Sequence, residues 1–306
     1  MSAAFRIGID LGGSKIAAAA LDRAGIIRSE RRIATPSGDY RGTIAAIAGL
    51  VAALESELGA DATVGIGIPG TIVAATGLVK NANSTWLNHK PLARDVEAAL
   101  GRPARFANDA NCFALSEAKD GAAAGCATVF GVILGTGVGG GIVTDGRILV
   151  GANAIAGEWG HNPLPAPTPE EVPGPCCYCG RRGCIETFLS GPGLAADHRR
   201  QSGAPLAAPQ IAAAAASGDP ACRATLDRYA ERLARALAGV INIIDPDAIV
   251  LGGGLSALAF LYDEVPRRWG RHILSDTIET RLLPPRHGDA SGVRGAAWLW
   301  PPEEAQ

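Results

Sequence analysis

The sequence predicts an α/β protein of two lobes. A strand–glycine turn–strand opening occurs twice, at Phe5–Leu21 and again from Thr128 to Val143. A third glycine turn follows a strand that is itself preceded by a long amphipathic helix. Length agrees: the chain has 306 residues, and single hydrophobic cores stop growing at roughly 250–300 residues.

The first opening reads as a strand over Phe5–Asp10, a turn Leu11-Gly12-Gly13-Ser14-Lys15, and a second apolar run from Ile16 to Leu21 that ends in a turn around Asp22–Gly25. The backbone amides of such a hairpin can face a phosphate. It is not a P-loop, which needs Gly-x4-Gly-Lys-Ser/Thr opening a helix. Alone, a glycine hairpin is as readily structural as functional. Lys15 is a natural charge partner for phosphate and equally a solvated residue after a turn.

Further along lie Gly65-Ile-Gly-Ile-Pro69-Gly70 and Asn81-Ala-Asn83-Ser-Thr-Trp86-Leu-Asn88. Trp86 could stack on a sugar face, although a core position is the default for a single indole. Next comes Phe106-Ala-Asn108-Asp109-Ala-Asn111, where Asn and Asp stand at a strand-to-helix junction and suit helix capping. The second opening has a strand over Thr128–Leu134, then Gly135-Thr136-Gly137-Val-Gly139-Gly140-Gly141 and the apolar Ile142-Val143. A helix is expected over about Pro220 to Ile244, with Leu226, Leu233, Leu237 and Ile241 at helical spacing. The strand Ala248–Leu251 then runs into Gly252-Gly253-Gly254-Leu255.

Between the second opening and that helix sits the densest chemistry. Glu158-Trp-Gly-His161 precedes Cys176-Cys177-Tyr-Cys179-Gly-Arg-Arg-Gly-Cys184-Ile-Glu186. Three thiols and an imidazole can surround a tetrahedral zinc, and four protein ligands leave no open position, so such a metal is structural. The alternative is a loop of ordinary reduced cysteines. Spacing alone leaves open which of Cys176 and Cys177 is the ligand. Glu158 and Glu186 are tied to the same segment, so a metal there would fix two carboxylates.

Hydrophobic residues make up 47% and charged residues 19% of the chain, which describes a globular protein rather than a disordered one. The 28 basic and 30 acidic residues balance to −2, which offers no nucleic-acid surface. No run approaches the ~20 apolar residues of a membrane span, and Met1–Gly13 is too short and interrupted for a signal peptide. Seven clustered, unevenly spaced cysteines point to a reducing compartment, hence a cytoplasmic location.

The Cys-x-Cys-Gly-x-x-Gly-Cys-x-Glu segment resembles the signature of the ROK family of bacterial sugar kinases and repressors. That register selects His161, Cys177, Cys179 and Cys184 as zinc ligands and leaves Cys176 aside. The glycine loops likewise resemble the actin-like ATPase architecture of sugar kinases and heat-shock ATPases, with two lobes and an active-site cleft. The resemblance implies that Asp10 acts on the magnesium–phosphate complex of ATP. Gly12, Gly13, Ser14, Lys15, Gly135, Thr136 and Gly137 would serve the phosphates, and Gly253 and Gly254 would leave room for the nucleoside. Ser14 stands where the family usually has threonine, keeping the hydroxyl.

In such kinases Asn108 binds the sugar and Asp109 is the catalytic base, a role that phosphoryl transfer requires of one proton acceptor. Glu158, His161 and Glu186 would grip other sugar hydroxyls, with one His161 nitrogen on zinc and the other toward the sugar. Gly70 and Asn83 are further sugar-pocket candidates. The lobes are expected at about 1–118 plus 290–306, and 119–289, with a homodimer as the common family state. Within the family, Lys80–Asn88, Gly157–Pro165 and the closing Trp298-Leu-Trp300 look most like its fructokinases, also called mannokinases. The expected reaction is therefore transfer of phosphate from ATP to the 6-hydroxyl of D-fructose. The alternatives are N-acetylglucosamine, glucose or mannose as substrate. A remoter alternative is a sugar-sensing ROK transcriptional regulator, against which stands a first strand that begins at about Phe5 without a preceding helix-turn-helix. A polypeptide-moving ATPase of the heat-shock type would leave the zinc segment and its two carboxylates unexplained.

Overall fold

The computed structural model describes residues 4–301. The chain separates into two compact units: Met1–Gly125 with Gly141–Ala156 and Arg286–Gln306, and Cys126–Gly140 with Gly157–Pro285.

The first unit begins with β1 (Phe5–Leu11), β2 (Lys15–Asp22) and β3 (Ile27–Ala34), an antiparallel meander. Helix α1 (Tyr40–Leu58) follows, opened by Asp39, whose side chain accepts from the Gly42 amide, and closed by Gly59 in the left-handed conformation. Then come β4 (Ala62–Ile68), the short pair β5 (Thr71–Ile72) and β6 (Val79–Lys80), α2 (Leu92–Leu100), β7 (Ala104–Asn108) and α3 (Asp109–Lys119). The sheet order is β3-β2-β1-β4-β7, with β1, β4 and β7 parallel. Parallel strands covered by helices read as continuous apolar runs. Accordingly Ile7, Ile9, Val64, Ile66 and Ile68 are all buried, and they pack with Ile47, Leu50 and Leu54 of α1.

The second unit carries β8 (Thr128–Leu134) and the start of β9 (Val138–Thr144), whose far end pairs with β10 (Arg147–Ile148) within the first unit. After the cysteine segment come α4 (Ile185–Leu189), α5 (Gly191–Ser202), α6 (Ala208–Ala216) and α7 (Pro220–Ile244). Asp219 caps α7 by accepting from the Cys222 amide, and Pro220 sits in its first turn, where a missing N–H costs nothing. Leu226, Leu233, Leu237 and Ile241 are buried as their spacing predicts. Then follow β11 (Ala248–Gly252), α8 (Leu261–Trp269) and β12 (Arg281–Leu283), with β11 parallel to both β8 and β12.

The chain ends in α9 (Ser291–Trp298), which packs on β1, β4 and α3 of the first unit. Glycines permit that approach: a Cβ on Gly65 would lie 1.8 Å from the Ala296 carbonyl oxygen, and one on Gly295 would lie 1.7 Å from the Cys112 oxygen. The Trp300 indole donates to the Val64 oxygen at 2.8 Å, and Arg6 and Arg105 stack over Trp298 and Trp300. Glu117, fully buried on α3, accepts from the amides of Ala122 and Arg286 and from the Ser291 hydroxyl. It thereby ties the returning chain to α3.

The units are drawn differently from the expected lobes. Residues 119–125, 141–156 and 286–289 fall in the first unit rather than the second. The reason is visible at Gly141, where a Cβ would lie 2.7 Å from the Ala110 oxygen and 2.8 Å from Asn111 Oδ1, so this part of β9 belongs against α3. Residues 302–306 of the expected first lobe lie outside the described residues.

Candidate functional site

In the first unit, the central strand β1 carries Asp10 near its end, next to the turn Gly12–Ser14. Burial pushes the Asp10 carboxyl above its ordinary range, and the charges of Lys15 and Arg32 offset part of that. Gly13, Ser14 and Lys15 are exposed, and the turn is closed by the Gly12 amide donating to the Lys15 oxygen at 3.0 Å. Gly12 is required there, since a Cβ would stand 2.8 Å from that same oxygen.

Asn108 and Asp109 stand where β7 hands over to α3. The Ala110 amide donates to Asn108 Oδ1 at 2.9 Å and to Asp109 Oδ1 at 2.8 Å, so the capping role is met. The Asn108 side chain also donates to the Gly70 oxygen at 3.0 Å, which brings two expected sugar residues together. Gly70 has φ of 72° and its Cβ position is filled by the Lys80 oxygen at 2.3 Å, so no other residue fits. Asn83 is exposed on the following loop, which Asn88 holds by a pair of hydrogen bonds to the backbone of Ala82. A cavity of about 710 Å³ in this unit reaches Asn108, with Thr71, Asn111, Lys119 and Arg147 on its walls.

Trp86 is partly buried against the core, in line with its default reading, and donates its indole N–H to the Thr43 hydroxyl at 3.2 Å. Ser84 drew no attention in the sequence, yet it is buried, its hydroxyl has no partner among the described residues, and it lies 3.3 Å from where a Gly13 Cβ would be. A serine within an Asn-rich loop carries no sequence signal for that placement.

In the second unit the glycine loop is shorter than it reads. Only Gly135, Thr136 and Gly137 form the turn, whereas Gly139, Gly140 and Gly141 lie within β9. Gly140 is a packing glycine, because a Cβ would strike the Gly157 oxygen and the Trp159 ring, both at 2.8 Å. Gly137 faces Glu186: a Cβ there would come 2.7 Å from Oε2, and that oxygen accepts from the Val138 amide at 3.0 Å. The phosphate-loop candidate and the sugar-carboxylate candidate are therefore one packed feature. At the third turn Gly253 has φ of 77° and lies against the Leu134 backbone, whereas Gly254 borders open space.

The cysteine segment closes on itself. Leu164 and Ile185 donate amides to Gly183 and Asn162, and Cys177 donates to Arg181. The ligand atoms of His161, Cys177, Cys179 and Cys184 all lie within 4.8 Å of one another. Cys179 and Cys184 sulfurs are 3.6 Å apart, and His161 Nδ1 is 3.5 Å from Cys177 Sγ. Zinc–sulfur bonds of about 2.3 Å in a tetrahedron separate two sulfurs by about 3.8 Å, so the donor set fits. Cys176 points instead to Arg182, whose guanidinium donates to its sulfur at 3.0 Å. Burial pushes the Cys184 thiol up to about 12, so a metal must displace protons to bind.

Glu158 is exposed at the start of the turn Trp159–His161, and Glu186 is partly buried in the first turn of α4. The second nitrogen of His161, Nε2, lies 2.9 Å from the Tyr178 hydroxyl. Tyr178 is 84% exposed, and its ring meets His161 edge-on.

The model of the ROK family matches residues 6–303, so the chain belongs to the ROK family. A Citrobacter koseri protein named N-acetyl-D-glucosamine kinase is 42% identical over 296 residues, spanning 95% of this chain and 98% of its own length. The ROK hexokinase of Thermus thermophilus superposes with a TM-score of 0.84 at 31% identity, covering 96% of this chain and 97% of that one. A ROK family glucokinase from Streptomyces griseus, solved with glucose and AMPPNP, gives a TM-score of 0.77 at 30% identity, covering 96% and 98%. The fold is thus the α/β actin-like ATPase fold of the sugar kinases.

Proposed function

We propose that this protein is an ATP-dependent sugar kinase that phosphorylates N-acetyl-D-glucosamine at its 6-hydroxyl. The observation that carries the substrate is the 42% identity, over almost the full length of both chains, to a protein named N-acetyl-D-glucosamine kinase. The local likeness to fructokinases that suggested D-fructose rests on three short segments and weighs less than a full-length match. D-fructose, glucose and mannose remain the comparison substrates.

ATP with magnesium supplies the phosphoryl group. The residues of this chain then bind, orient and move one proton. Asp109 accepts the proton of the attacking hydroxyl, and as a base it contributes about 10²–10⁴-fold. Asn108, held by its bond to Gly70, orients the sugar beside it, with Asn83 on the neighbouring loop. Glu158, Glu186 and His161 hold further hydroxyls, since ionised carboxylates accept and an imidazole N–H donates. Asp10, Gly12, Gly13, Ser14, Lys15, Gly135, Thr136 and Gly137 serve the metal-bound phosphates, and Gly253 and Gly254 border the nucleoside. His161, Cys177, Cys179 and Cys184 hold a structural zinc that keeps Glu158 and Glu186 in place. The working form is a cytoplasmic homodimer.

The test is magnesium-dependent phosphorylation by ATP across N-acetylglucosamine, fructose, glucose and mannose, with Asp109→Asn beside the wild type. The highest kcat/KM is expected for N-acetylglucosamine, with kcat lowered at least 100-fold in the variant. Preference for another hexose corrects the substrate and keeps the chemistry. No turnover of any of the four by folded, zinc-loaded protein sinks the kinase reading.

A further inference from the structure

Tyr178 lies between two cysteines of the metal-ligand set, and its backbone is held on both sides by their placement. Its hydroxyl is 2.9 Å from His161 Nε2, and its ring meets the imidazole at 5.0 Å between centroids and 89° between planes. Nδ1 of the same imidazole faces Cys177 Sγ at 3.5 Å and is the nitrogen placed to bind a metal. A neutral imidazole bound through Nδ1 carries its proton on Nε2. The ring then donates to the phenol oxygen. Glu186 and Glu158 are the carboxylates whose charge bears on that phenol.

The Tyr178 hydroxyl therefore holds the second nitrogen of His161, one of the side chains assigned above to sugar hydroxyls, on a ring that is almost fully exposed. It offers the acceptor and donor that a sugar hydroxyl would offer in its place. We infer that, in the sugar-free protein, the Tyr178 hydroxyl occupies the hydrogen-bonding position of a sugar hydroxyl at His161 Nε2. Sugar binding displaces it, and Tyr178 sets affinity by competing with the substrate. It is a positioning residue, acting through His161, and it differs from the expected sugar contacts in opposing the bound state. Its cost in the free protein is one hydrogen bond to be given up. This inference rests on the sugar-kinase reading of the same residues.

Tyr178→Phe removes the competing oxygen and keeps the ring against His161. Calorimetric titration with N-acetylglucosamine should give a dissociation constant about two- to ten-fold lower than wild type, the range one modest hydrogen bond supplies. Zinc content and the KM for ATP should not change. A second readout uses the wild type alone: the His161 Nε2–H resonance of ¹⁵N-labelled protein should move on adding saturating sugar. In Tyr178→Phe it should already be shifted before sugar is added. Affinity that is unchanged, or weaker with zinc retained, overturns the inference, because the hydroxyl is then neutral or a partner of the bound sugar. A wild-type resonance indifferent to saturating sugar overturns it whatever the variant does. Failure of the wild type to bind any of the four hexoses removes the kinase reading and this inference together. Binding by the wild type with an unaltered variant removes this inference alone.

Discussion

Asp109 and Asn108 share one short stretch of backbone and divide its work. Both oxygens accept the same Ala110 amide, and Asn108 also donates to the Gly70 carbonyl. An amide side chain at position 109 can still accept from Ala110 but cannot take a proton, so Asp109→Asn should keep the fold and sugar affinity while losing turnover. Equal melting temperatures with collapsed kcat is the expected pair of results. The metal segment gives a second prediction at this scale. Cys179→Ser replaces one of four donors with a poorer ligand, so zinc content should fall and sugar affinity should weaken as the loop bearing Glu158 and Glu186 loosens. Metal analysis and sugar titration of the purified variant check both; unchanged values in each would count against a metal at these four residues. Zinc retention should also improve with rising pH, because Cys177 and Cys184 are pushed up by burial and must lose their protons to bind.

Among the elements, α9 depends on absent side chains. It lies so closely on β1, β4 and α3 that Gly8 and Gly65 on the sheet, and Gly295 of α9 against Cys112 of α3, each leave no space for a Cβ. Gly65→Ala must push the Ala296 carbonyl away, which breaks helix packing and strains the sheet. Overpacking of this kind costs about 1–3 kcal/mol, occasionally more. Chemical denaturation should show at least that loss, while Gly49→Ala, on the open side of α1 with nothing within 4 Å, should cost nothing. Glu117 anchors the same return of the chain by a different means. Its carboxylate is buried without solvent access and satisfies three amides and a hydroxyl, so Glu117→Ala should cost on the order of 3 kcal/mol or more by leaving them unpaired.

At the scale of the whole molecule, the sheet β3-β2-β1-β4-β7 lies in the first unit, β8, β11 and β12 lie in the second, and none of the helices among the described residues is long and apolar enough to cross a membrane. The second unit depends on a buried charge network. Arg232 bridges Glu171 and Asp197, and Arg235 pairs with Glu171, with all four side chains under a tenth exposed. Burial pushes Asp197 up, but the charges and hydrogen bonds of Arg232 and Arg228 push it down further, and Glu171 is lowered by Arg232, the Thr168 amide and Arg235 against the same burial. Folded-state values below the unfolded ones contribute stability above about pH 4, near the ordinary carboxyl range, and that contribution is lost as pH falls through the folded values. Urea unfolding should therefore show a drop in stability between about pH 4 and pH 2. Asp197→Asn should flatten that drop and cost about 3–5 kcal/mol at neutral pH, since it leaves a buried arginine short of charge.

The sequence by itself determined the α/β class, the strands around each glycine turn and the extent of α7 from Pro220 to Ile244. These are local properties: apolar periodicity, capping residues and the reach of a few residues of chain suffice to specify them. Only the tertiary structure decided which glycines serve a turn and which make room for packing, because Gly137, Gly140, Gly253 and Gly65 read alike and differ only in what lies against them. It also placed 141–156 with the first unit, buried Ser84, and set Tyr178 against His161. Such facts depend on atoms far apart in the chain meeting in space, and a one-dimensional pattern carries no record of those distances.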